Sequence, residues 1–239
     1  ADDDFVGYAT FYDHSKGIYK TTDSGQSWNL VTDVTYLDFD FPSEEVGYGR
    51  SSKIPGSQLQ STDICQCYDG TYKTVDGGLN WIKISDTIYS NLSFVSDDIG
   101  YGSLWLGDEG IAIYKTNDGG YNWNLVNSDT DSLGHTYKDL NFISEQIGYG
   151  YMNDGLYKTS DGGVNWNLIN NNIISYQNLE YSSENIGFAT HTDGYTIKTQ
   201  DGGLNWTNIS QTAFLDFSFV DNNIGWAHNT VSPYKTTDG

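Results

Sequence analysis

Acid chemistry dominates the polar side chains of this chain. Its 32 Asp and Glu residues stand against 11 Lys and Arg, a net charge of −21. Two opposed carboxylates at the right separation can hydrolyse a glycoside, yet among so many acids no pair is singled out. The four histidines lie scattered at 14, 135, 191 and 228, with no Ser/His/Asp set, phosphate-cradling loop or metal cluster around them. Cys65 and Cys67 form a lone C-x-C. A bridge between residues so close is strained, and two ligands fall short of a structural zinc site, so free, buried and bridged thiols all stay open. A phosphate backbone is bound by clustered Lys and Arg, so nucleic acid is not an expected partner. No apolar run approaches the roughly 18 residues of a membrane helix, so membrane insertion is not expected. No residue pattern asks for a cofactor, and the metal question is left open.

The acids are mostly Asp, which favours turns, and Gly is abundant (27) where Pro is scarce (3). Low hydrophobic content (37%) is offset by many aromatics (15%), each burying a large area. Many short strands joined by tight turns fit this composition.

One octet recurs: TTDSGQSW at 21–28, TVDGGLNW at 74–81, TNDGGYNW at 116–123, TSDGGVNW at 159–166 and TQDGGLNW at 199–206. A further TTDG closes the chain at 236–239. Successive Asp positions (23, 76, 118, 161, 201 and 238) are 53, 42, 43, 40 and 37 residues apart. A second landmark, [VI]-G-[YFW]-[AG], places Gly at 7, 47, 100, 148, 187 and 225. A repeat of about 40 residues is the length of a four-stranded propeller blade. Each unit reads as strand A (the Leu-x-Phe stretch, such as Leu140 to Ile143), strand B (Gly-Tyr-Gly), strand C (Ile-Tyr-Lys-Thr) and strand D, starting at the Trp. One such sheet cannot cover both its faces, and stacking repeats does. The expected fold is therefore all-β, a propeller of about six four-stranded blades forming one domain over 1–239. Counting strands gives three, then four full blades, then three, so the first and last blades are incomplete. The chain is expected to belong to a longer polypeptide, in which a further blade would make seven; the alternative is six blades with incomplete terminal ones and an imperfectly closed ring.

The octet resembles the Asp-box, or BNR repeat, Ser/Thr-x-Asp-x-Gly-x-x-Trp. It is similar to repeats in sialidases, sortilin luminal domains, xyloglucan-degrading hydrolases and photosystem II assembly and stability factors. The wording is most like the last group, whose blades also read Tyr-Lys-Thr-Thr-Asp-Gly-Gly. The resemblance spans the whole chain and implies a structural turn at the blade rim, away from any active site. Structural roles are accordingly expected for Asp23, Asp76, Asp118, Asp161 and Asp201, whose carboxylates accept backbone N–H groups of their own turns. The partner tryptophans Trp28, Trp81, Trp123, Trp166 and Trp206 are expected to pack on the sheet. One carboxylate per turn is too few for calcium. The repeated Lys (20, 73, 115, 158, 198 and 235) is expected to be neutralised by neighbouring Asp with its stem packed between blades; a basic ring is the alternative.

Loop lengths point to a binding face. In an up-and-down blade the B–C and D–A loops share one face. From Gly to the strand-C Tyr the shortest repeats run nine residues, whereas 47 to 72 runs twenty-five and 100 to 114 fourteen. From Trp to the strand-A aromatic the usual gap is thirteen, but 123 to 142 is nineteen. All three insertions fall on that face, and variable loops on a rigid scaffold are where binding usually lives. The candidates there are Trp105 with Asp108 and Glu109, the sole arginine Arg50, and His135 with Tyr137. Strand A adds a second pattern: Asp38, Asn91, Asp139, Asn178 and Asp216 stand three positions before the strand-A aromatic and are expected to ring the channel mouth. They would satisfy one another and the backbone, or hold a cation or water cluster.

Sialidases, by the same resemblance, hold a substrate carboxylate with three arginines. One arginine cannot supply that bidentate contact, and lysine cannot copy it, so sialidase activity is disfavoured. The leading expectation is a non-catalytic extracellular, cell-surface or periplasmic scaffold that binds a protein or a glycan. The alternatives are an assembly factor like the photosystem group and a glycoside hydrolase with an unidentified carboxylate pair.

Overall fold

The computed structural model describes residues 5–10, 17–33, 38–51, 70–107, 110–129, 139–152, 154–171, 176–214, 216–219, 222–229 and 233–238. Among the described residues, twenty-two strands in six sheets carry the regular structure. The first sheet holds β1 (Gly7–Thr10), β2 (Ile18–Thr21) and β3 (Asn29–Thr32). The second holds β4 (Asp38–Asp40), β5 (Gly47–Ser51), β6 (Gly70–Thr74) and β7 (Ile82–Ser85). The third holds β8 (Asn91–Phe94), β9 (Gly100–Trp105), β10 (Ile111–Thr116) and β11 (Asn124–Asp129). The fourth holds β12 (Asp139–Phe142), β13 (Gly148–Met152), β14 (Gly155–Thr159) and β15 (Asn167–Asn170). The fifth holds β16 (Tyr176–Tyr181), β17 (Gly187–His191), β18 (Tyr195–Thr199) and β19 (Thr207–Ser210). The sixth holds β20 (Asp216–Phe219), β21 (Gly225–His228) and β22 (Pro233–Thr236). Strands follow chain order within every sheet, so each is a simple meander. Two compact units result, one of residues 1–100 with 116–123 and one of 101–115 with 124–239.

Strand D begins one residue later than the sequence pattern suggests, at Asn167 after Trp166 for example. The indole is still part of the turn: its Nε1–H donates to the Gly163 carbonyl at 3.0 Å, as Trp81 donates to Gly78 and Trp123 to Gly120 at 2.9 Å.

The same three aromatic rings join one sheet to the next. In the first unit, Tyr8 stacks on Phe41 and Tyr48 on Phe94, with centroids 3.6 and 3.4 Å apart. In the second, Tyr101 stacks on Phe142, Tyr149 on Tyr181 and Phe188 on Phe219, at 3.5, 3.6 and 3.9 Å. Four of these strand-A rings, Phe41, Phe94, Phe142 and Tyr181, are met edge-on by the Trp of their own sheet, as Phe142 is by Trp166 at 5.9 Å. Aromatic pairs of this kind add about 0.5–1.5 kcal/mol each beyond the area they bury. The strand-B tyrosine also reaches forward: Tyr101 and Tyr149 donate their hydroxyls to the carbonyls of Glu145 and Glu184 in the next A–B turn, at 2.6 and 2.5 Å.

These rings explain the glycine that opens strand B. Gly148 pairs across the ladder with Phe142 and Gly187 with Tyr181. A Cβ on either would lie 2.7 Å from its ring. The ring lies over the glycine, and no other residue leaves it room.

Strand D carries a bulge at the same place in the first five sheets, between Ile18/Tyr19, Thr71/Tyr72, Ile113/Tyr114, Leu156/Tyr157 and Thr196/Ile197 of strand C. The extra strand-D residue is Val31, Ile84, Val126, Ile169 or Ile209. A bulge re-aims the side chain it inserts. Val126 and Ile169 accordingly lie against the octet glycines of the following sheet, Gly163 and Gly203, where an added Cβ would meet them at 3.7 and 3.2 Å. Val31 meets Gly78 in the same way at 3.4 Å. The packed interior of the second unit forms around Tyr149, Tyr151, Leu156, Leu179, Tyr181, Ala189 and Ile197.

Candidate functional site

The octet turns are closed by their own side chains. In the fourth sheet the Thr159 hydroxyl donates to Asp161 Oδ1 at 2.9 Å and accepts the Gly163 N–H at 2.9 Å. Asp161 Oδ1 accepts the Asn165 N–H at 2.9 Å, and its Oδ2 accepts the Asn165 side-chain amide at 2.7 Å. Asp76, Asp118 and Asp201 repeat these contacts with Asn80, Asn122 and Asn205, and Asp23 makes them with Ser27. Donors aimed at a carboxylate favour its charged form. All five therefore titrate below the usual carboxylate range; for Asp23 the Ser27 hydroxyl and amide lower the value to about 2. The glycines at 25, 78, 120, 163 and 203 have φ between +84° and +97°, a conformation that a Cβ resists. The glycine before each of the last four donates its N–H to the A–B turn of the same sheet, as Gly162 does to Gln146 O at 2.9 Å. The carboxylates of these turns are thus engaged within the turns themselves.

Among the described contacts, four of the repeated lysines meet Glu side chains or main-chain carbonyls where neighbouring Asp is expected from the sequence. Lys115 pairs with Glu145 at 3.3 Å and Lys158 with Glu184 at 2.7 Å. Lys20 and Lys73 reach main-chain carbonyls instead. All six ammonium groups stand 5.1–5.7 Å over the strand-B ring beside them. The strand register sets this geometry, because Tyr149 lies directly across from Lys158 and Trp226 across from Lys235.

On strand A, the candidates Asp38, Asp139 and Asn178 are tied into the sheets. Asp38 takes the Arg50 guanidinium at 3.3 Å, joining two residues that the sequence reading assigned to separate groups. Asp139 Oδ2 accepts the Leu179 N–H, and the Asn178 amide donates to the Phe214 carbonyl at 3.3 Å. Asn91 opens β8 and Asp216 opens β20. A carboxylate outside the expected set, Asp40, accepts the Phe94 N–H at 2.6 Å. Shielding from water pushes its carboxyl up to about 7, the Phe94 N–H opposes that, and the charge of Asp38 adds to it. Alternation along β4 marks Asp40 as sharing a side with Asp38, which is the signal that would have found it.

Trp105 ends β9 and is 62% exposed. Asp108, Glu109, His135 and Tyr137, like Cys65 and Cys67, lie outside the described residues. Among the described residues, all the exposed large apolar side chains except Trp105 and Tyr234 lie on octet turns or strand D. Leu79, Tyr121, Val164 and Leu204 hold one octet position, and Leu30, Leu125 and Leu168 stand two residues after the Trp. The octet position was readable in the sequence, as a hydrophobic residue repeated inside an otherwise polar turn. No group of three or more His, Cys, Asp and Glu among the described residues is placed to hold a metal. No helix among them is long and apolar enough to cross a membrane.

No family model matches the chain. Its fold recurs in a solved structure of YCF48 bound to D1 peptide, with a TM-score of 0.58 at 17% identity over 93% of this chain and 72% of that one. The fold is a β-propeller. A GH74 xyloglucanase from Xanthomonas campestris matches with a TM-score of 0.58 at 14% identity, over 99% of this chain and 42% of that one. A chain of a nidogen/laminin complex matches with a TM-score of 0.61 at 10% identity, over 84% of this chain and 75% of that one. In sequence, a Paenibacillus xyloglucanase is 29% identical over 103 residues, 41% of this chain. The propeller chain spans only 9% of that relative's length.

Proposed function

We propose that this propeller is a non-catalytic recognition scaffold that binds a protein or a glycan through the loops joining strands B to C and D to A. Trp105 carries the reading. It is the largest aromatic left exposed among the described residues, and it stands at the B–C end of β9. An exposed indole costs apolar surface in water and gains most when a flat sugar face or a protein side chain covers it. The octets are Asp-box turns in this reading, with structural carboxylates committed to their own backbone. The ligand is taken on the opposite face. A secreted or periplasmic setting suits an acidic chain with likeness to xyloglucanases.

Two observations favour different ligands. The stretch 29% identical to a xyloglucanase favours a plant-type β-glucan, bound or hydrolysed by a carboxylate pair. The likeness to YCF48 with a bound peptide favours a polypeptide and an assembly role. A panel of immobilised xyloglucan oligosaccharides and peptides, probed with the wild type and Trp105→Ala, separates them. The scaffold reading expects saturable binding to one class, at least tenfold weaker in the variant, with no new reducing ends from xyloglucan. Release of reducing ends would establish the hydrolase instead. Binding unchanged by Trp105→Ala would remove the loop face from the argument.

A further inference from the structure

Four of the five complete octets carry an apolar side chain at a place where the turn does not require one. Leu79, Tyr121, Val164 and Leu204 stand between the octet glycine and Asn, and each is 52–61% exposed. In the first octet Gln26 holds that place, and the turn closes by the same bonds: Thr21 donates to Asp23 at 2.8 Å, and Asp23 accepts the Ser27 N–H at 2.8 Å. The strand-D place two residues after the Trp behaves alike. Leu30, Leu125 and Leu168 are exposed there, while Lys83 and Asn208 fill it in the second and fifth sheets. Folding therefore explains neither set. Exposed apolar side chains gathered at one end of a protein mark an interaction surface.

The fourth and fifth sheets, both within the second unit, show what surrounds these side chains. Their A–B and C–D turns, 142–148, 159–167, 181–187 and 199–207, carry the charged residues Glu145, Asp161, Glu184 and Asp201; all are acids and all are exposed. The lysines nearby are drawn inward. Lys158 and Lys198 lie over the rings of Tyr149 and Phe188, and the Lys158 side chain is 24% exposed where its partner Glu184 is 55%. Asn127 of β11 donates to the Val164 carbonyl at 2.7 Å, and Asn170 of β15 to the Leu204 carbonyl at 3.2 Å. Strand D of one sheet thus stands beside the octet of the next. Each boundary presents one apolar side chain from either element: Leu125 with Val164, then Leu168 with Leu204. The backbones behind them are fixed by these bonds and by the closed turns, so little freedom is lost when a partner covers them.

We propose that the octet end of the second unit is a docking surface for a cationic amphipathic segment of another protein. The segment lays its apolar side on Leu125, Val164, Leu168 and Leu204, and its basic side chains among the four acids. Charge selects this occupant. A second copy would bring the same apolar row together with a second net charge of −21, and like charges across an interface oppose association. An acidic segment is repelled in the same way. A basic segment without apolar side chains leaves the leucines in water. The surface lies at the other end of the strands from Trp105 and does not rest on the loop-face reading.

Three synthetic peptides added to the intact chain test this: an amphipathic peptide of leucine and lysine, its counterpart with glutamate for lysine, and its counterpart with serine for leucine. The expected result is saturable binding of the leucine–lysine peptide alone. The methyl NMR signals of Val164 and Leu204 should shift, and the Trp105 indole signal should stay in place. Val164→Gln combined with Leu204→Gln should weaken binding roughly tenfold or more, through the loss of two covered apolar contacts. Gln26 indicates that these turns still close, and thermal unfolding of the variant checks it. Equal binding of the serine–lysine peptide would reduce the surface to its charge and overturn the proposal. So would an absence of binding, equal binding of the leucine–glutamate peptide, shifts confined to Trp105, or self-association of the chain that covers the same methyl groups.

Discussion

Removing the ring of Phe142 should reverse the effect of adding a methyl group at Gly148. The two residues face each other across β12 and β13, and a Cβ on Gly148 would lie 2.7 Å from the ring. Alone, Gly148→Ala forces the ring or the strand to move, an overpacking worth about 1–3 kcal/mol. Alone, Phe142→Ala deletes a side chain only 4% exposed, stacked on Tyr101 and met edge-on by Trp166. That loss is about 3–5 kcal/mol, or roughly 6–20 °C in Tm for a domain of this size. With the ring gone, the methyl group enters vacated space, and alanine is better than glycine inside a strand by about 0.5–1 kcal/mol. The double variant should therefore equal or slightly exceed Phe142→Ala in stability, a coupling of about 1–4 kcal/mol. Urea unfolding of the four proteins, with m-values compared, completes the cycle. If the two penalties add to within about 0.5 kcal/mol, the ring is not the reason for the glycine.

Tyr149→Phe removes the hydroxyl that donates to Glu184 while keeping the stack on Tyr181, as the natural Phe188 does one sheet later. A loss of about 1 kcal/mol is expected in denaturant unfolding. The octet carboxylates make stability depend on pH. Their folded values are lowered, so their contribution is complete above about pH 4 and fades as pH falls through the folded value, about 2 for Asp23. Thermal unfolding between about pH 5 and 2 should show this loss, and Asp23→Asn should flatten part of it. Trp105→Ala should leave stability within about 0.5 kcal/mol of wild type, because the indole is mostly in water; a larger drop in Tm would place it in the packing rather than at a binding face.

Where local chemistry repeats, the sequence was readable. The octets located every C–D turn, because Thr, Asp, Gly and Asn close that turn among themselves and need nothing distant. The strand-B glycine announced a strand, but its cause, a ring from the neighbouring strand, depends on register that spacing alone does not fix. Val126 and Ile169 read as ordinary strand-D residues; only the bulge turns them toward the following sheet. Asp is plentiful in the sequence and hides the ring that cross-strand pairing places beside each repeated lysine. Asp40 was passed over because its acceptor role lies 54 residues away, at Phe94.

The joints between sheets share an orientation: hydroxyl, ammonium and bulged side chain of one sheet all reach toward its successor, at the end where strands A and B, or C and D, turn. Each repeat is thus fastened at its hinge side by residues close in sequence to the octet. A change of length in one of those turns would disturb two repeats at once, so the octet end of the repeat is the part that sequence drift should leave most uniform.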